Sequence, residues 1–79
     1  MRLSELSRGA SAVVRSIEPV SATDAVARRL RDLGFVDGEP VRIVGQGPFG
    51  GDPLLVQVGY TRFALRRAEA ARVIVEGTP

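Results

Sequence analysis

The chain contains no histidine and no cysteine. The first absence removes the commonest general base and the commonest transition-metal ligand. The second removes disulfides and thiolate chemistry together. Lysine is missing too, since all eleven basic residues are arginine. Without His, Cys or Lys no nucleophile–base pair can be assembled, and only carboxylates remain for acid–base work. No catalytic residue is therefore assigned, and an enzyme is the least favoured class. Tryptophan is absent and tyrosine occurs once. That leaves no aromatic-lined groove of the kind that grips proline-rich peptides. No apolar run approaches the roughly 18 residues of a membrane span. Glu5 and Arg8 stand where a signal peptide would need its apolar core. The expectation is a cytoplasmic protein with no direct membrane insertion.

What is present fits one small domain, residues 1–79. A chain of this size has little room for a deep catalytic cavity. The pI of 10.4 overstates its basicity, because arginine titrates so high; the net charge is only +2. Acids and bases are interspersed, which describes a solvated surface and not a nucleic-acid face. Single-stranded nucleic acid would also want stacking aromatics beside the arginines. Only Phe35, Phe49, Phe63 and Tyr60 exist, and two of these read as core.

The chain is organised around Ala25 to Gly38, AVARRLRDLGFVDG. Val26, Leu30 and Leu33 recur at i, i+4 and i+7 and predict one narrow apolar helical stripe. Gly34 falls where a left-handed residue closes a helix, with Phe35 and Leu30 placed for the accompanying apolar contact. Ser21 and Asp24 are spaced like a capping box, and Thr23 is a rival cap. One short helix cannot bury itself, so its stripe must lie on a sheet.

Ala10 to Val20 reads as a strand in which Ile17 falls out of phase with Ala12 and Val14; a bulge near Arg15-Ser16 restores the phase. Pro40 to Val44 sends Val41 and Ile43 inward and Arg42 outward. Gly45 to Pro53, GQGPFGGDP, reads as an irregular, mobile hairpin loop carrying one large apolar residue, Phe49. Leu54, Val56 and Val58 alternate as the next strand, Gly59-Tyr60-Thr61 makes a tight turn, and Phe63 and Leu65 point inward beyond it. Arg66 to Ala71 is a short helical turn, Val73 and Val75 a closing strand, and Glu76 to Pro79 should fray. Five or so short strands and one helix avoid open edges by curling into a small barrel. The expected core is Val14, Val26, Leu30, Leu33, Val41, Ile43, Val56, Val58, Leu65, Val73 and Val75.

An ordered set of residues matches a known family: Leu3, Leu6, Gly9, Val14, Arg29-Leu30, Leu33-Gly34-Phe35, Gly38, Val41, Gly51-Asp52-Pro53, Ala64-Leu65-Arg66, Ala70, Val73 and Val75. The most telling pieces are RLRDLGFVDG, GGDP and ALRR. The chain resembles the FeoA family, small cytoplasmic accessory proteins of bacterial ferrous iron transport. The resemblance covers nearly the whole chain. It implies a mainly β fold: a small SH3-like antiparallel β-barrel of five or six short strands with one α-helix packed across it. It also implies a partner, the membrane ferrous iron transporter of the FeoB type with its cytoplasmic G-protein domain. The alternative it leaves open is a metal-responsive regulatory domain related to the C-terminal domain of iron-dependent repressors.

Three residues stand out as partner-binding candidates. Phe49, in a Gly/Pro loop, is either folded back onto the barrel or offered as an anchor. Arg28 and Arg31 lie on the helix face away from the stripe; Asp24 and Asp32, one turn from Arg28, are expected to neutralise it in part. Arg29 is expected to lay its stem over the barrel. The literal G-x-G-x-x-G of Gly45 to Gly50 lacks the strand–helix context of a dinucleotide fingerprint, because a second strand follows and Pro48 and Pro53 break any helix. No cofactor is required on this reading. The nine carboxylates supply at most a weak or chain-shared divalent metal site, and no residue is assigned as a metal ligand. Homo-oligomerisation is left open.

Overall fold

The computed structural model describes residues 1–21 and 23–77. The alternating runs become β1 (Ser11–Ile17), β2 (Pro40–Gly47), β3 (Gly51–Val58), β4 (Thr61–Leu65) and β5 (Val73–Gly77). Helix α1 (Ala25–Asp32) lies between β1 and β2, and the single turn α2 (Arg67–Ala70) between β4 and β5; a 3₁₀ turn, Leu3–Glu5, precedes β1. The strands form one antiparallel sheet in the order β4-β3-β2-β1-β5.

That sheet cannot be flat. Leu65 of β4 and Val73 and Val75 of β5 belong to one buried cluster. In a flat sheet, strands four steps apart would stand about 19 Å from each other. The sheet therefore curls until its two edge strands share a core, and α2 spans the gap. Irregularities in register supply the bending. The β1–β5 register slips between Val14 and Ser16, at the bulge the phase of Ile17 requires. The β2–β3 register slips twice more, between Ile43 and Gly45 and between Gln46 and Gly47. The edge of β5 is covered by the chain's own start: Val75 N–H donates to the Met1 carbonyl at 2.8 Å, and Arg2 bridges Ile74.

Helix α1 packs against β1 and stops as its sequence requires. Gly34 has φ +112°, its N–H donates to the Arg31 carbonyl at 3.0 Å, and Phe35 N–H donates to the Leu30 carbonyl at 3.1 Å. These two bonds are the Schellman pair. The start differs from expectation. Asp24, and not Ser21 or Thr23, is the N-cap, and its Oδ1 accepts from the Val26 and Ala27 N–H groups, both at 3.1 Å. Along the stripe Leu30 is buried, but Val26 and Leu33 are only half-buried, and Ala27 is fully buried beside Leu30. Both helical single turns use a different closure: Glu5 accepts from the Arg2 N–H at 2.6 Å, and Glu69 from the Arg66 N–H at 3.0 Å.

Three further expectations are corrected. The segment 45–53 is not irregular throughout: β2 runs to Gly47 and β3 starts at Gly51, so only Pro48–Gly50 turn. Glu76 does not fray. It lies within β5 opposite Val13, and its carboxylate holds Arg15 at 3.0 Å; Thr78 and Pro79 lie outside the described residues. The core also takes in Leu3, Leu6, Ala12, Phe35, Leu54 and Ala70.

Candidate functional site

The ladder between β2 and β3 closes at Gly47 opposite Gly51. Past that pair, Phe49 and Asp52 form one more bridge, with Asp52 N–H donating to the Phe49 carbonyl at 3.1 Å. The tip is thus fixed by backbone bonds while its side chain is free: Phe49 is 81% exposed. Of the two alternatives open from sequence, the ring is not folded back. It borders a recess of about 250 Å³ shared with Asp52, Pro53 and Arg66.

The base of the hairpin is tied to α2. Asp52 Oδ1 accepts from the Arg67 N–H at 3.0 Å. The GGDP and ALRR pieces, far apart in sequence, therefore meet at the first residue of α2. The Arg67 guanidinium lies under the same turn, near Gly51 and Gln46, with Nη1 buried and without a hydrogen-bond partner.

Arg28 and Arg31 are exposed on α1, and neither forms an ion pair among the described residues. The expected neutralisation by Asp24 does not occur. Its carboxylate is turned inward to cap the helix, to accept from the Val20 N–H at 2.9 Å and to pair with Arg72. Those two side chains are 6% and 17% exposed. Asp32 makes no ion pair among the described residues either. Arg29 reaches across to Glu69 of α2 at 3.6 Å. Arg31 stands over a shallow cleft floored by Ile17 and Phe35 and bordered by the exposed Val36. The nearby acid, Asp37, is already engaged: it and Glu76 hold the Arg15 guanidinium, and these two carboxylates, Glu76 foremost, push its pKa up. Phe49 and the two arginines occupy separate elements, one on the hairpin and two on the helix.

Reading along the chain passes over a third set. Arg8, Arg42 and Arg62 line one cleft together, although they are far apart in sequence. The signal for it is strand register, which the alternation of Arg42 with Val41 and Ile43 gives only for one strand. No cluster of three or more Asp or Glu residues suited to hold a metal ion exists among the described residues. No helix of the described residues is long and apolar enough to cross a membrane.

The family model described as the FeoA domain matches residues 1–77. Among solved structures, FeoA of Stenotrophomonas maltophilia, complexed with zinc, superposes with a TM-score of 0.88 and 64% identity, over 96% of this chain and 89% of that one. That protein is described as a procaryotic SH3 domain protein and as a candidate activating factor of bacterial ferrous iron transport. FeoA of Chlorobium tepidum follows with 38% identity and a TM-score of 0.85, over 100% of this chain and 71% of that one. A manganese-dependent transcriptional repressor superposes at a TM-score of 0.80 with 19% identity, over 99% of this chain and 41% of that one; the likeness is one of fold. A comparison with curated protein sequences finds no match.

Proposed function

The chain belongs to the FeoA family, and from that premise we propose that it is a non-catalytic adapter, one domain over residues 1–79, acting in the cytoplasm on a membrane ferrous iron transporter. In this reading it docks on the cytoplasmic side of a FeoB-type transporter and regulates it or helps it assemble. The observation that carries the reading is Phe49, a large apolar side chain 81% exposed at the tip of a hydrogen-bonded hairpin. Aromatic side chains held on a rigid support are frequent interface anchors. Arg28 and Arg31, exposed and without ion pairs among the described residues, suit electrostatic steering toward an acidic surface. The description of the Stenotrophomonas maltophilia relative as a transport activating factor supports the same role. The test is a capture from bacterial membranes with this protein as bait, followed by binding kinetics against the transporter's soluble G-protein domain. Recovery of the transporter is the expected result. Recovery of ribosomes or DNA in its place would overturn the reading.

A second reading, a metal-responsive regulatory domain, draws on the zinc complex of the relative and on the repressor-like fold. The ligand supply weighs against it, since carboxylates alone favour hard cations held weakly at a surface. Titration of the monomer with ferrous or zinc ions should reveal no site tighter than about micromolar. A stoichiometric nanomolar site would put the regulatory reading first.

A further inference from the structure

Ser11, Arg42, Gln57 and Arg62 stand directly opposite one another across β1, β2, β3 and β4. Their strand neighbours Ala12, Val41, Ile43, Val56 and Val58 are buried, so this row faces outward. Arg8 joins it from the turn before β1, where Gly9 N–H donates to the Ile43 carbonyl at 2.7 Å. Arg8, Arg42, Gln57 and Arg62 thereby line a cleft of about 290 Å³ without a single carboxylate among the described residues. None of the three arginines has an ion-pair partner among the described residues. On a chain of net charge +2 with nine acids, a cleft of three unpaired guanidinium groups is a local concentration of charge. Gln57 separates Arg42 from Arg62 by two strand spacings, about 10 Å, so their mutual repulsion is partly screened, while an anion seated in the cleft would be attracted by all three guanidinium groups.

The row ends at an open edge. Among the described residues, strand β4 pairs only with β3. The hairpin turns on Gly59 and Tyr60, so Val58 and Thr61 form its closing hydrogen-bonded pair. Bonded and non-bonded pairs then alternate, which directs the backbone N–H and C=O of Arg62 and Ala64 away from β3. No backbone bond reaches those groups among the described residues. Arg62 and Ala64 are both exposed, and Leu55, opposite Ala64, adds an exposed apolar side chain on the same outer face.

We propose that this face recognises an extended acidic segment of a partner protein, added as a strand along β4. Main-chain bonds to Arg62 and Ala64 would supply the ladder, and an acidic side chain opposite Arg62 would extend the row and meet the arginine cleft. An extended polypeptide uses both features, whereas a polynucleotide has no use for the free ladder. Glu39, at the margin where Arg42 and Gln57 meet the exposed Tyr60, also opposes a continuous phosphate chain. The arginine row lies toward the far end of the β2–β3 ladder from Phe49, and the inference does not rest on the docking role given to that residue.

The test uses the whole chain and three probes: a ten-residue peptide of alternating glutamate and threonine, its lysine–threonine counterpart, and a ten-nucleotide oligothymidylate. Binding is followed by amide NMR shifts and by hydrogen exchange. The acidic peptide should bind, shift the Arg62 and Ala64 amides and slow their exchange; the basic peptide should not. Arg42→Gln with Arg62→Gln should weaken binding by about tenfold or more and flatten its salt dependence. Ala64→Pro removes an outward N–H that the fold does not use, and proline is tolerated at such edge positions. It should melt like the parent and also lose about tenfold in affinity. Failure of the acidic peptide to bind, binding unaffected by Ala64→Pro in a normally melting variant, or tighter binding of the oligothymidylate would each overturn the proposal. If Ala64→Pro does not fold, the protection of the Arg62 and Ala64 amides in the parent decides the strand-addition point.

Discussion

Leu30 and Asp24 hold α1 in place by different physics. Leu30 fills the contact between helix and sheet and is fully buried. Leu30→Ala should cost about 2–5 kcal/mol in urea unfolding, through lost burial and the cavity left behind. A loss below about 0.5 kcal/mol would mean that the helix is not anchored there. Asp24 combines two roles, since one carboxylate oxygen caps the helix and the other pairs with Arg72 and receives the Val20 N–H. Arg72 in turn donates through Nε to the Glu18 carbonyl at 3.2 Å. Asp24→Ala should therefore cost more than the ~0.5–2 kcal/mol of a lost cap, because Arg72 is left without its partner in a largely buried position. Asp24→Asn, which keeps an acceptor for the two amides, should cost less than Asp24→Ala. Equal losses would show that the cap contributes nothing, and a negligible loss in Asp24→Asn would show the same of the pairing with Arg72. Sequence alone points elsewhere for this residue. The i, i+4 relation to Arg28 suggests a surface pair, but the tertiary partner lies 48 positions away, beyond the reach of local spacing.

At the level of elements, periodicity carried most of the fold. Strands with strict alternation, such as Val41–Ile43 and Leu54–Val56–Val58, are buried where the pattern puts them. The helix stop was also legible, because a Schellman closure needs glycine at one position and apolar residues at two others. Gly34→Val tests it. An added Cβ would sit 3.8 Å from Val58 Cγ1, an ordinary contact, so the cost should come from forcing φ +112° on a β-branched residue and not from a clash. Thermal unfolding should show a loss larger than the helix-propensity difference alone. The hairpin was less legible, because glycine and proline composition reads as loop whatever the ladder does. Gly47 is needed for a contact that composition does not reveal: a Cβ there would stand 2.6 Å from Pro53 Cδ on the facing strand. The short pairing past Gly47 is what makes the tip firm. Phe49→Ala should accordingly leave the melting temperature nearly unchanged, since the ring contributes little burial, yet weaken binding to the transporter's soluble domain by about 1–2 kcal/mol, mostly through the off-rate. A sharp fall in melting temperature would assign the ring to the core, and unchanged binding would move the interface off the hairpin.

For the molecule as a whole, charge placement matters more than net charge. Most carboxylates are committed internally: Asp24 to Arg72, Asp37 and Glu76 to Arg15, Glu18 to Arg2, Glu69 to Arg29, and Asp52 to a backbone amide. What remains unpaired among the described residues is disproportionately arginine, on α1 and on the outer sheet. Sequence counting sees a near-neutral mixed surface, because it cannot know which acids the fold consumes. Exposed charges act over about 8–10 Å at ordinary salt, so Arg28 and Arg31 should influence encounter with an acidic surface and hardly affect the lifetime of the complex. Replacing both by Gln should lower the on-rate for the transporter's soluble domain and flatten its salt dependence, with the off-rate little changed. Arg42→Gln with Arg62→Gln removes the same charge from the sheet face and is measured beside it. If the two double variants slow association equally, the α1 face has no special part in steering. If only the α1 pair slows it, the helix face is the approach surface. If the off-rate rises in the α1 pair, these arginines are contacts in the complex and their role as steering groups fails.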